Sequence, residues 1–150
     1  MNLTEKINRD LKEAMKANDT VRLQTIRSIR ALILEFEKSG SGKSFNEEEE
    51  IKLLTSAAKK RKEAMEEYNK AGRNDLASIE EAELNIIKSY LPKQLSPEEI
   101  SEKIKSLAEQ IGAKSKADFP KLMPVAVKEL KGLADGKAVK EAVEKFLGAS

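Results

Sequence analysis

The 150-residue chain has no cysteine, no histidine and no tryptophan. Without cysteine there is no disulfide framework, thiol nucleophile or thiolate zinc site. Without histidine, a Ser–His–Asp triad, imidazole acid–base catalysis and histidine-bound metal are excluded. A carboxylate metal site of the helix-bundle kind normally pairs Glu with His, and there is none. The expectation is therefore no catalytic residues, no metal site and no cofactor. The longest aliphatic run is Ala31 to Leu34, far short of the roughly 20 residues that span a bilayer. The start, MNLTEKINRD, has no apolar signal core. These absences predict a protein with no membrane partner in a reducing compartment, most simply the cytoplasm.

What is present is helical. Leu, Ile, Val and Phe supply 36 of the 150 residues, enough for a core, although charged residues reach 36% and aromatics only 4%. Leu3, Ile7, Leu11, Ala14 and Met15 recur at threes and fours. Asp19-Thr20 offers a cap for a second helix with Val21, Ile26, Ile29, Ile33 and Phe36 inward. Asn46 caps a third, lined by Ile51, Leu54, Ala58, Met65 and Tyr68 and stopped by Gly72. A fourth, about Asp75 to Leu91, turns Leu76, Ile79, Ile86, Ile87 and Tyr90 inward before Pro92. The stretch LPKQLSP, Leu91 to Pro97, reads as a hinge. Ser96-Pro97-Glu98-Glu99 then starts a fifth helix through Ile100, Ile104, Leu107 and Ile111 to Gly112. Ser115 to Asp118 opens a sixth, running to about Lys131 and delayed or bent by Pro120 and Pro124. Asp135 starts a seventh with Val139, Val143 and Phe146-Leu147 inward. No stretch has a strand period. The fold class is all-α: a four-helix part over residues 1–93 and a three-helix tail over 94–150.

Two segments imitate phosphate loops and fail. Gly42-Lys43-Ser44 ends like a P-loop, but Glu37 stands where the first glycine belongs, and a helix precedes it. Gly132 to Lys137 is one residue short and lacks a following Ser or Thr. It still has a physical use, because glycines admit a close approach and helix N-termini attract anions. Between Lys114 and Lys140 seven lysines face only Asp118, Glu129 and Asp135, a local excess of four in a chain with 28 basic and 26 acidic residues. Lys128 and Lys131, and Lys137 and Lys140, are each one helical turn apart and predict a phosphate-facing patch around Gly132 to Gly136. Elsewhere, Lys59-Lys60-Arg61-Lys62 is expected to pair with nearby glutamates on its own helix, and Glu80, Glu81 and Glu83 to form a solvated face. Arg22, Arg27 and Arg30 suit phosphates or acidic neighbours equally.

Several segments in this order resemble the YqeY family: RLQTIRSIR (22–30), AKKRKEAMEEYNKAGRND (58–75) and EEAELNIIKSYLPKQLS (80–96). In the tail the resemblance adds Ile111-Gly112-Ala113, Lys121-Leu122-Met123, Lys131-Gly132 and Ala134-Asp135-Gly136. YqeY proteins are small bacterial proteins that share a region with the C-terminal helical and tail domains of GatB, a subunit of the tRNA-dependent aspartyl/glutamyl amidotransferase. The resemblance implies a helical bundle joined to a three-helix tail, and a tail that contacts tRNA near its elbow. The matching positions are Lys121, Met123, Lys128, Lys131, Gly132, Gly136 and Lys137, with Lys140 added by the lysine pattern. Pro120 and Pro124 stand where that pattern has glycines, and Leu133 where it has an arginine. The implied function is a non-catalytic accessory protein binding tRNA or another structured RNA, with amidotransferase or other translation-related proteins as partners. The alternatives are a helical protein–protein adaptor, or a component of a carbon–nitrogen ligase with glutamine as amido donor that acts only with other subunits.

Overall fold

The structure, a computed structural model, describes residues 1–148. It contains seven α-helices and one 3-10 turn, with no strand among the described residues. The helices are α1 (Leu3–Ala17), α2 (Thr20–Lys38), α3 (Glu47–Lys70), α4 (Asn74–Lys88), α5 (Pro97–Ile111), α6 (Phe119–Glu129) and α7 (Gly136–Gly148). Most starts have a local cause. Asn2 Oδ1 accepts from Glu5 N at 2.9 Å, and Glu5 accepts in return from Asn2 N, so two orphan amides of α1 are satisfied. Asp19 and Asn46 accept from the amides of Arg22 and Glu49. Ser96 and Glu99 exchange both bonds of a capping box behind Pro97. The prolines delay the sixth helix. Ser115 to Asp118 becomes a 3-10 turn over Lys116–Asp118, with Asp118 Oδ2 accepting from Lys114 N at 2.8 Å, and α6 begins only at Phe119.

Contacts divide the chain into two compact units, Met1–Leu91 and the residues from Pro92 onward. In the first unit Leu3, Ile7, Ala14, Ile26, Ile29, Ile33, Leu54 and Ile87 form the core. The long α3 gives it one fully buried side chain, Leu54, and packs chiefly along α4. Met15 and Ile79, expected inward, are 52% and 45% exposed. The fully buried line of α1 runs through Leu3, Ile7, Asp10 and Ala14, with Leu11 half-buried against the same core, so an aspartate joins the inner face that apolar spacing predicts. Tyr90 explains how it can. Its hydroxyl donates to Asp10 Oδ2 at 2.6 Å, while Arg9 Nε donates to Oδ1 at 3.1 Å and Arg22 lies 3.8 Å away. A buried carboxylate is tolerated when paired and hydrogen-bonded.

Within the basic run on α3, Arg61 is settled differently from expectation. Arg61 reaches across to α4, with Nε 3.1 Å from Glu83 and Nη1 3.7 Å from Glu80. Those two glutamates are not a solvated face; their side chains are only 12% and 16% exposed. Burial pushes the Glu83 carboxyl up, partly offset by Arg61 and reinforced by Glu80. The Ser39–Ser44 segment is exposed, with Gly40 and Gly42 at positive φ. Its ends are drawn together by Phe36 and Phe45, whose ring centroids lie 5.2 Å apart.

The second unit is a three-helix core. Ile100, Ile104 and Ala108 from α5 meet Leu122 and Ala126 from α6 and Val139, Val143 and Leu147 from α7, closed by Ala113 and Leu130. Ile111 falls beyond the packed face and is 39% exposed.

Candidate nucleic-acid interface

Helix α6 places its lysines by what it buries. Leu122 and Ala126 face the core, so Lys121 and Lys128, seven residues or about two turns apart, share the outer face with Pro124 between them. The helix ends at Glu129, and Leu130 folds back into the core. Lys131 therefore lies in the connecting turn rather than on the helix. Gly132 follows at φ +79°, a left-handed conformation that suits glycine. Lys137 stands in the first turn of α7 and Lys140 one turn later. Lys121, Lys128, Lys131, Lys137 and Lys140 are all exposed.

The two glycines differ. Gly132 is buried, and its carbonyl accepts from Gln94 Nε2 at 2.7 Å. Leu95 N donates to the next carbonyl, Leu133, at 2.8 Å. Gly132 thus serves the path of the turn and its tie to the segment before α5. Gly136 is exposed, and a Cβ built there would meet nothing within 4 Å, so the start of α7 is open to an approaching group. That start already has a carboxylate: Asp135 Oδ1 accepts from Ala138 N at 2.7 Å. A phosphate reaching the first turn would meet one spent amide and a nearby negative charge.

The remaining electrostatics are modest. Lys140 lies 4.0 Å from Glu144 in an exposed pair, which contributes little and yields readily to a stronger anion. Lys121 adds its charge to the backbone amides of Lys114 and Ser115, which hold the Asp118 carboxyl below its ordinary range. No group of three or more Asp or Glu able to hold a metal ion exists among the described residues. Gly42-Lys43-Ser44 lies in the exposed loop, and the α3 start behind it is capped by Asn46. The side chain that sequence reasoning missed is Gln94. It donates to the Pro92 carbonyl nearby and to the Gly132 carbonyl 38 residues away, and no local pattern signals the second bond.

No helix among the described residues is long and apolar enough to cross a membrane. Comparison with known proteins places the chain. The pattern of the family described as Yqey-like protein matches residues 4–147. The mitochondrial proteins named altered inheritance of mitochondria protein 41 are similar to it. The Lachancea thermotolerans protein is 36% identical over 107 residues, 70% of this chain and 57% of the relative. The Clavispora lusitaniae protein is 38% identical over 106 residues, 69% and 61% of the two chains. The Saccharomyces cerevisiae protein is 33% identical over 132 residues, 87% and 69%. The chain thus spans 57% to 69% of the length of these curated relatives. With nearly its whole length inside one family pattern, the chain belongs to the YqeY-like family.

Proposed function

We propose that this chain is a non-catalytic accessory protein that binds tRNA or another structured RNA through the outer lysines of its second unit. The observation that carries the reading is the exposure of Lys121, Lys128, Lys131, Lys137 and Lys140 around a packed three-helix core. Residues 1–91 hold 17 basic and 17 acidic side chains, whereas 92–150 hold 11 and 9, so the whole net charge of +2 belongs to the second unit. No aromatic residue lies between Pro120 and Val143. Base stacking is absent there, and recognition would read backbone and shape rather than sequence. The chain has neither a cysteine nor a histidine to act as nucleophile or base, so a glutamine-dependent ligase role would require other subunits. Amidotransferase or other translation proteins are the partners this reading favours. The proposed compartment is one without disulfide formation: the cytoplasm, or the mitochondrion, the word mitochondrial being part of the relatives' name.

Titration against unmodified tRNA at two salt concentrations tests the reading. Each phosphate neutralised adds somewhat under one to the slope of log K against log salt. Lys131→Gln with Lys137→Gln is expected to weaken binding and flatten that slope by about one to two, with helicity unchanged. Unaltered affinity and slope in the folded double variant would overturn the assignment.

We also propose that the two units, divided between Leu91 and Pro92 and so two residues before the expected bounds 1–93 and 94–150, are separate domains. Trypsin is expected to cut first at Lys38 or Lys43, in and beside the exposed loop, and next at Lys93. Gln94 and Leu95 are half-buried and hydrogen-bonded, which leaves Lys93 the exposed residue of the linker. Cleavage inside α5 or α7 before either site would count against the division.

A further inference from the structure

Four of the six arginines are committed within the chain. Arg9 and Arg22 meet Asp10, Arg61 meets Glu80 and Glu83, and Arg73 meets Asp75. Arg27 and Arg30 meet no carboxylate among the described residues, and both are exposed on α2, away from Ile26, Ile29 and Ile33. Gln24, Arg27, Ala31, Leu34, Glu35 and Lys38 recur along this outer side at threes and fours, all of them exposed. Leu34 is 44% exposed, and it lines an open depression with Ala31, Glu35, Lys38 and Ser39.

The stripe is charge-complementary to itself. Arg27 stands four residues before Ala31, and Glu35 stands four residues after it. We propose that α2 of one molecule packs antiparallel against α2 of a second copy, about a two-fold axis at Ala31. Arg27 of each chain then faces Glu35 of the other, and Gln24 faces Lys38. An isologous interface of this kind needs a self-complementary patch. The pairing opposes no two like charges. Ala31 at the axis lets the helices approach to about 8 Å, the close end of helix packing. Leu34, exposed beside Ala31, is shielded from water by the second copy.

Two observations favour a copy of the chain over RNA here. Glu35 sits inside the stripe and Glu37 beside it, where both would repel phosphates. Leu34 at its centre offers phosphates nothing. One helix pair buries less than the roughly 800 Å² per partner of a standard interface, so the association is weak and is seen only at high protein concentration.

Sedimentation equilibrium of the full chain at about 10 and 500 μM tests this. The expected mass is that of a monomer at the lower concentration and approaches a dimer at the higher. Arg27→Glu alone and Glu35→Arg alone are each expected to keep the protein monomeric at 500 μM with unchanged melting. The double variant Arg27→Glu, Glu35→Arg restores the facing charges and is expected to restore the dimer. A monomeric wild type at 500 μM, or a double variant that stays monomeric, overturns the proposal. So does an Arg27→Glu variant that loses tRNA affinity with its mass unchanged, which would assign the face to RNA. Because residues 121–140 are untouched, failure here leaves the lysine-patch reading standing.

Discussion

Leu130→Ala is expected to destabilise the second unit by about 3 kcal/mol and to lower its melting temperature by about 15 °C. Leu130 is 1% exposed and belongs to a core of ten buried residues, three of which are alanines. A unit of about 60 residues buries little surface in excess of what it needs, so one truncated leucine is a large fraction of its stability. The position also matters for the turn that carries Lys131. The Leu130 carbonyl accepts from Leu133 N at 2.9 Å and from Ala134 N at 3.2 Å, which holds the chain in register between α6 and α7. Loss of the side chain should therefore reduce any RNA affinity through disorder of the lysines, not through a missing contact. Thermal melts followed by circular dichroism check this, with Val127→Ala as the control because Val127 is 45% exposed. A Leu130→Ala protein that melts with the control would show that Leu130 does not anchor the turn.

The helices were legible because their ends are chemical. Asn2, Asp19, Asn46 and Ser96 are residues whose side chains cap amides, and Gly112 at φ +73° stops α5 as glycine stops helices. These signals lie within four residues of the bond they make. What periodicity misplaced was the direction of the inner face. On α1 it put Met15 on the stripe, where it is 52% exposed, and left out the buried Asp10, which is held by Tyr90, eighty residues on, and by Arg9 and Arg22. At Arg61 the expectation of local charge pairing failed for a like reason. Arg61 finds Glu80 and Glu83 on a neighbouring helix, a tertiary contact that i,i+4 reasoning cannot contain.

The candidate site was legible as composition and less so as geometry. Clustered lysines in a nearly neutral chain are visible without coordinates, and their exposure follows from Leu122, Ala126, Val139 and Val143 turning inward. The sequence could not say that Gly132 would be buried beneath Gln94 while Gly136 stays open. Nor could it assign Asp135 to the amide of Ala138, which places a carboxylate inside the expected anion site. Both facts shift the weight of the proposed contact from backbone amides to side-chain charge. Salt-sensitive binding with weak geometric selectivity is the expected signature.

Asp10→Ala is expected to cost the first unit about 2 to 4 kcal/mol at pH 7, and Tyr90→Phe about 1 to 2. Removing the carboxylate leaves the Tyr90 hydroxyl without its acceptor and takes from Arg9 and Arg22 the anion they share. Removing only the hydroxyl leaves Asp10 with its arginines. Burial alone would raise the Asp10 carboxyl, but the hydrogen bonds from Tyr90 and Arg9 and the charges of Arg9 and Arg22 outweigh it and hold the group below the usual carboxylate range. The stability it contributes is therefore complete above the unfolded value of about 4 and is lost as pH falls through the lower folded value. Tyr90 moves the opposite way, pushed up by burial and by its bond to the Asp10 carboxylate. Its contribution is present below the unfolded value of about 10 and fades only as pH rises well beyond it. The pair is thus fully effective between roughly pH 5 and 9. Urea unfolding at pH 7 and pH 2.5 should show the gap between wild type and Asp10→Ala shrinking at the lower pH. The two substitutions should also be non-additive at pH 7, because they remove one shared bond. A gap of the same size at both pH values, or strictly additive losses, would mean that Asp10 is held in the core by shape and not by its charge.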